Sequence, residues 1–290
     1  MAVRALRRLT LLVAALVSTA AVTVPAQAAT PSGWTSVRLD AATPRLPSDG
    51  ALRADVQLVV DGRARSFRVL VPPGLPSPAP LVIGLHGLFR TPETTDATMR
   101  LLEQAPRRGF IAVYPTGVGA SWNAGRCCGR AVAERVDDVA FLRRLVAEVS
   151  AAHSVDRTRV TAVGWSNGGM LAHRVACEAP GLLTAVAVVA GADVTGRPCA
   201  GATATMVVHG LRDGVVPPAG APALGTVLPP LARTVDSLER RGAAAGVRTA
   251  VVRLPAEGHG WPTTRTPSGY DTTRHVLDFL LRSRPALKRR

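Results

Sequence analysis

The segment Gly164-Trp165-Ser166-Asn167-Gly168 constrains the fold more than any other. It follows the apolar run Arg159–Gly164, which reads as a strand, and opens the helical run Gly168–Cys177. A serine flanked by glycines at a strand-to-helix junction makes a turn so tight that its neighbours must be small. The serine hydroxyl then projects above the edge of a sheet, and the N–H groups of the helix start point toward it.

The rest of the chain fits such a sheet. Ala54–Val60 and Arg65–Val71 flank Asp61-Gly62-Arg63-Ala64 and read as a hairpin. A proline-rich link follows, and then strands and helices alternate. The expected strands are Leu81–Leu85, Phe110–Tyr114, Arg159–Gly164, Ala185–Ala190, Thr205–His209 and Arg248–Leu254. The expected helices are Asp96–Arg108, Val136–Ala152, Gly168–Cys177, Leu231–Arg241 and Asp271–Arg282. Apolar strands without alternation are covered on both faces, and intervening helices supply right-handed crossovers. The expectation is an α/β fold: a mostly parallel central sheet, helices on both faces and an antiparallel N-terminal edge hairpin. Residues 29–50 read as an irregular lead-in, 51–290 as a single domain, and Val215–Pro230 as an irregular flap.

A serine hydroxyl needs a base, and the base needs an orienting carboxylate. On this fold the chain order is Ser, then Asp or Glu, then His. Three histidines follow Ser166: His209, which ends a strand and reads as loop-shaping; His275, inside a helix; and His259, in the loop Glu257-Gly258-His259-Gly260-Trp261-Pro262. His259 is the expected base. Asp213, just past the strand ending at His209, is the expected acid, with Asp193 its rival. The oxyanion donors expected are the backbone N–H groups of Asn167 and of Leu88 in Leu85-His86-Gly87-Leu88; the His86 side chain reads as a loop brace. Trp122, Asn123 and Trp261 lie in loops near this edge and are candidate substrate-binding residues. This chemistry calls for no metal or organic cofactor.

The N-terminus carries Arg4, Arg7 and Arg8, an apolar stretch from Leu9 to Val24, and Ala26-Gln27-Ala28. That is the pattern of a cleaved export signal over 1–28, so a secreted protein is expected, with no membrane span after cleavage. Losing the signal lowers the formal charge from +15 to +12. The arginines are scattered and no nucleic-acid motif is present, which argues for a basic solvated surface and against a nucleic-acid partner. Cys127, Cys128, Cys177 and Cys199 are disulfide candidates in an oxidising compartment. A bond between the neighbours Cys127 and Cys128 is disfavoured, so each is expected to pair with Cys177 or Cys199, in either of two ways.

The ordered set Leu85-His86-Gly87, Tyr114-Pro115-Thr116-Gly117, Ser121-Trp122-Asn123-Ala124-Gly125 with Cys127-Cys128-Gly129, Val136-Asp137-Asp138-Val139, Gly164 to Met170, His209-Gly210 through Asp213 to Val216-Pro217, and Gly258 to Pro262 resembles the polyhydroxybutyrate-depolymerase and feruloyl-esterase group of α/β-hydrolases. The resemblance runs over roughly residues 52–282. It implies the α/β-hydrolase fold and a Ser166–Asp213–His259 triad acting on carboxylic esters through an acyl-enzyme. The implied substrates are oligomeric or polymeric hydroxyalkanoates, or alternatively feruloyl and acetyl esters on polysaccharide. A secreted binding protein that keeps the fold without turnover is the reading from a different class. The stretch after Val216 departs from the family by its prolines and alanines, which bears on the substrate pocket.

Overall fold

The computed structural model describes residues 33–40, 45–48, 51–197, 199 and 202–283; the expected signal over 1–28 lies outside them. Its strands are β1 (Thr35–Arg38), β2 (Leu52–Val60), β3 (Arg63–Val71), β4 (Ala79–Leu85), β5 (Ile111–Pro115), β6 (Val155–Trp165), β7 (Ala185–Val189), β8 (Ala204–Gly210), β9 (Ala221–Ala223), β10 (Thr226–Leu228) and β11 (Thr249–Leu254). Its helices are α1 (Pro92–Met99), α2 (Leu101–Arg108), α3 (Gly129–Ala133), α4 (Asp138–Ala152), α5 (Asn167–Glu178), α6 (Leu231–Ala245) and α7 (Thr272–Arg282).

One sheet runs in the order β1-β2-β3-β5-β4-β6-β7-β8-β11. The strands from β5 through β4, β6, β7 and β8 to β11 pair in parallel. The expected hairpin β2–β3 is antiparallel and joins β5 antiparallel. The sheet is mostly parallel with an antiparallel N-terminal edge, as the pattern predicts, and the architecture is the α/β-hydrolase fold that the family resemblance implied.

Strand β4 shows why the sheet is covered twice. Its residues are all buried. Leu81, Ile83 and Leu85 pack with Phe141, Leu142 and Leu145 of α4 and Leu171 and Val175 of α5. Val82 faces the other way, among Met99, Leu101 and Ala105 of α1 and α2 and Leu277 and Leu280 of α7. Each such aliphatic side chain contributes about 1.5–3 kcal/mol on burial, so both faces need a helical layer.

The single helix expected over Asp96–Arg108 is two helices. Arg100 between them is left-handed, with φ 58°. The buried Tyr114 hydroxyl accepts the Leu101 N–H at 3.2 Å and donates to Asp96 Oδ1 at 2.9 Å, while Asp96 Oδ1 also accepts the Leu102 N–H at 3.0 Å. These contacts cap the start of α2, and the break is set by a strand residue far along the chain.

The lead-in over 29–50 contains β1, which pairs in parallel with β2. The flap over Val215–Pro230 contains the hairpin β9–β10. Its two turn residues, Leu224 and Gly225, both have positive φ, as a two-residue hairpin with strand-matched twist requires.

The cysteine expectation is corrected. Cys177 bonds to Cys199, and Cys127 bonds to Cys128. Helix α5 keeps the two pairs apart. Cys128 packs on Met170, whereas Cys177 lies seven residues further on, about 10 Å along the axis.

Among the described residues, no helix is long and apolar enough to cross a membrane.

Candidate active site

Strand β6 ends at Trp165, and Ser166 is the first residue off the sheet. Its backbone sits at φ 54°, ψ −120°, a region that costs a non-glycine residue about 1–3 kcal/mol. Two hydrogen bonds hold it there: Ser166 N–H donates to the Val189 carbonyl at 2.8 Å, and its carbonyl accepts the Met170 N–H at 3.0 Å. The flanking glycines follow from close approach. A Cβ on Gly164 would overlap the Gly168 carbonyl, and one on Gly168 would overlap the Leu85 carbonyl.

The loops after β8 and β11 bring the two partners to this serine. Ser166 Oγ lies 3.0 Å from His259 Nε2, and His259 Nδ1 lies 2.8 Å from Asp213 Oδ2. The other Asp213 oxygen, Oδ1, accepts the N–H groups of Val215 at 2.9 Å and Val216 at 2.7 Å. Burial alone would raise the Asp213 pKa, but the bonds from His259, Val216 and Val215 outweigh it and hold the carboxyl below its usual range. The anion therefore fixes a proton on His259 Nδ1 and leaves Nε2 free to accept from the serine.

The two loops are stitched to each other. Leu211 N–H donates to the Leu254 carbonyl at 3.0 Å and Arg212 N–H to the Glu257 carbonyl at 2.9 Å. Glu257 Oε1 in turn accepts from the Thr266 hydroxyl, the Ser268 hydroxyl and the Ser268 N–H, at 2.6, 2.6 and 2.8 Å. Sequence reasoning singled out the Glu257-Gly258-His259 loop and missed this brace.

Asp193, the rival acid, is elsewhere: its Oδ1 accepts the Thr195 N–H and hydroxyl. His275 lies on the exposed side of α7, stacked on Tyr270. His209 is closer to the site than a loop-shaping role implies. Its Nε2 bonds the Val216 carbonyl at 2.9 Å and lies 3.5 Å from Asp213 Oδ2. Burial keeps its pKa below the ordinary value, against the pull of the Val216 carbonyl and Asp213, so it stands beside the carboxylate as a neutral ring.

Asn167 is the first residue of α5, where N–H groups lack intrahelical acceptors. Its side chain clamps a second loop: Oδ1 accepts the Trp122 N–H at 2.7 Å and Nδ2 donates to the Trp122 carbonyl at 3.1 Å. The loop bearing Leu88 comes just as close. A Cβ on Gly87 would lie 3.5 Å from Ser166 Cβ. His86 holds this loop from below, its Nε2 accepting the Gly117 N–H at 2.9 Å and its Nδ1–H donating to the Gly87 carbonyl at 2.8 Å. Burial pushes the His86 pKa down to about 4, so the ring is neutral, in the one tautomer its two partners permit.

The candidate substrate-binding aromatics need correction. Trp122 is completely buried, tilted against His86, with its indole N–H on the His86 carbonyl at 2.9 Å; it presents no face to a substrate. Trp261 packs in the core behind the site, and its indole N–H donates to Thr273. Asn123 spends its side chain on the Val136 carbonyl and the Gly125 N–H. The aromatic next to the relay is Trp165, its ring stacked 6.0 Å from that of His259 and under the Arg90 guanidinium at 5.0 Å. Exposed apolar side chains rise from the loops after β4 and β8 and from the flap: Phe89, Leu211, Val215 and Val227.

Comparison with known proteins places the chain. Residues 65–216 match the family described as esterase PHB depolymerase. The chain is 33% identical over 286 residues to NocK of Nocardia uniformis subsp. tsuyamanensis, a protein named as an esterase, with 89% of this chain and 82% of that one covered. It is 29% identical over 113 residues to feruloyl esterase B of Piromyces equi, spanning 38% of this chain and 20% of the relative. Among solved structures it is similar to LpqC, the poly(3-hydroxybutyrate) depolymerase from Bordetella parapertussis, with TM-score 0.53, 19% identity, and coverage of 72% of this chain and 85% of that one.

Proposed function

The chain belongs to the esterase PHB depolymerase family and is a carboxylic-ester hydrolase, and we propose that Ser166, His259 and Asp213 are its nucleophile, general base and orienting acid. The observation that carries this is the unbroken relay from Ser166 Oγ through His259 to Asp213, at 3.0 and 2.8 Å. Ser166 Oγ attacks the ester carbonyl as its proton passes to His259 Nε2. The imidazolium is stabilised by Asp213 and returns the proton to the leaving alcohol. Water, activated by the same imidazole, then clears the acyl-enzyme. The N–H groups of Leu88 and Asn167 receive the oxyanion, and each such donor contributes about 3–4 kcal/mol to the transition state.

The substrate we assign is an ester of a hydroxyalkanoate, oligomeric or polymeric. Two features support it: the exposed aliphatic side chains of Leu211 and Val215, in the loop that carries Asp213, and the placement of Trp122 and Trp261 where neither offers a stacking platform for a phenolic ring or a sugar. Feruloyl or acetyl esters on polysaccharide are the second reading; the likeness to feruloyl esterase B favours it, and the exposed Phe89 is the ring that would serve. The protein works outside the cell after cleavage following Ala28, and the Cys177–Cys199 bond suits that setting.

A fluorophosphonate probe should label the wild type at Ser166 and leave Ser166→Ala unlabelled; labelling at another serine would overturn the triad. Hydroxybutyrate oligomers should be cleaved in preference to methyl ferulate and acetylated xylan, and the reverse order would favour the second reading. N-terminal sequencing of protein from culture medium should begin at Ala29, and an intact leader would refute export by cleavage.

A further inference from the structure

A second concavity lies at the same edge of the sheet. It has a volume of about 550 Å³ and sits between the 193–197 segment after β7, the end of the flap and the first turns of α6. Three guanidinium groups line it, those of Arg126, Arg197 and Arg233. All three residues are exposed, and among the described residues none takes part in an ion pair. Like-charged side chains around one cavity repel each other unless an anion joins them.

One further observation points the same way. The cavity meets the N-terminus of the fifteen-residue helix α6, whose first turn holds no acidic residue and whose backbone partial charge there is positive. Thr234, on that turn, also lines the cavity. Asp193 also borders the cavity, but its Oδ1 is taken by Thr195 and its charge is faced by Arg241, so the cationic groups remain in excess.

The cavity adjoins the relay. Val194 and Leu228 on its wall pack with Ala192, Met170 and Val216, and the Val216 N–H is bonded to Asp213. This buried layer separates the cavity from the relay, so a molecule with its ester at Ser166 has to pass over it, along the surface, to reach the arginines.

We propose that this cavity binds a carboxylate carried by the ester substrate, so that the enzyme selects esters bearing a free acid group. The inference rests on the esterase reading above. The acid has two possible sources: the free terminus of a hydroxyalkanoate oligomer, or a uronic acid on a polysaccharide ester. Guanidinium is suited to either, because its fork matches a carboxylate in two-point contact.

The test compares matched substrates. One pair is the hydroxybutyrate trimer and its terminal methyl ester; the other is an acetylated xylo-oligosaccharide with and without a glucuronic acid branch. The wild type should favour the acid member of one pair by about tenfold in kcat/KM, mainly through KM, and the pair that responds names the source. The triple change Arg126→Gln, Arg197→Gln and Arg233→Gln should bring that ratio to near one while nitrophenyl acetate hydrolysis stays at the wild-type rate. Arg233→Gln alone should lower the ratio and covers the case in which the triple variant does not fold. Replacing the exposed, distant Arg53, Arg157 and Arg274 by Gln removes the same charge and should leave the preference intact. Equal rates on both members of both pairs, or a preference that survives the cavity changes or falls equally with the distant ones, would overturn the proposal. No turnover of nitrophenyl acetate by the wild type would instead overturn the esterase reading.

Discussion

Replacing Asp213 by Asn puts the relay under direct test, because the structure dictates how the amide must sit. Asp213 Oδ1 accepts two backbone N–H groups, from Val215 and Val216. An asparagine satisfies both only by placing its carbonyl oxygen there, which turns its NH₂ toward His259 Nδ1. That NH₂ cannot accept the Nδ1–H, so the imidazole must move its proton to Nε2, the nitrogen 3.0 Å from Ser166 Oγ. The base then faces the nucleophile with its lone pair gone. Loss of the correct tautomer costs about 10⁴ in kcat, or about 5.5 kcal/mol of transition-state stabilisation. The fold should survive, since the loop bonds and side-chain volume are kept. The assay is steady-state hydrolysis of nitrophenyl acetate, with a thermal melt as the folding control. Asp193→Asn, which changes a carboxylate outside the relay, should leave kcat within about twofold. An Asp213→Asn enzyme that retains more than about a tenth of wild-type kcat would refute the reasoning.

Three other perturbations test the frame around the relay. His86 is neutral in the folded protein down to about pH 4, while the unfolded chain takes up a proton near 6.5. The unfolded state therefore gains protons first as pH falls, and His86 subtracts up to about 3 kcal/mol of stability between those values. Urea unfolding should show the wild type losing about that much more than His86→Gln between about pH 7 and about pH 4.5, and parallel curves would contradict it. Asp138→Ala should cost about 3–5 kcal/mol in the same measurement, because it leaves the Arg65 guanidinium, now paired at 2.7 Å, buried without a counter-charge; a loss below about 1 kcal/mol would count against it. Gly168→Ala should cost more than about 3 kcal/mol or prevent soluble expression, since its methyl would meet the Leu85 and His86 carbonyl oxygens, and a variant with a wild-type melting curve would show the turn to be looser than described.

The parts of the fold that could be read from the sequence are those specified locally. Apolar runs flanked by turn residues marked β4 to β8, and the glycine spacing around Ser166 marked a junction whose backbone leaves few options. His259 and Asp213 could be singled out because each closely follows a strand that ends at the same edge. What escaped is set by contacts between distant residues. The break at Arg100 depends on Tyr114, and the pairing of Cys177 with Cys199 depends on how α5 separates the cysteines. Trp122 looked like a mouth residue because its loop lies at the right edge; that its ring turns inward is decided by Asn167 and His86, which no local pattern reports. The single strand β1 was hidden in polar sequence, since only Val37 of its four residues is buried.

The cross-links between the turns after β8 and β11 carry a lesson for how such an enzyme can diversify. Asp213 and His259 travel as one cassette, clipped together by Leu211, Arg212 and Glu257, and the fifteen or so residues from Val216 onward loop out of that cassette and return at α6. Insertions, deletions or swaps within that excursion can remodel what the enzyme grips while the proton path keeps its alignment. Chemistry and appetite are thereby mounted on separable pieces of the same chain, and a library confined to positions 218–227 is the place to retune one without disturbing the other.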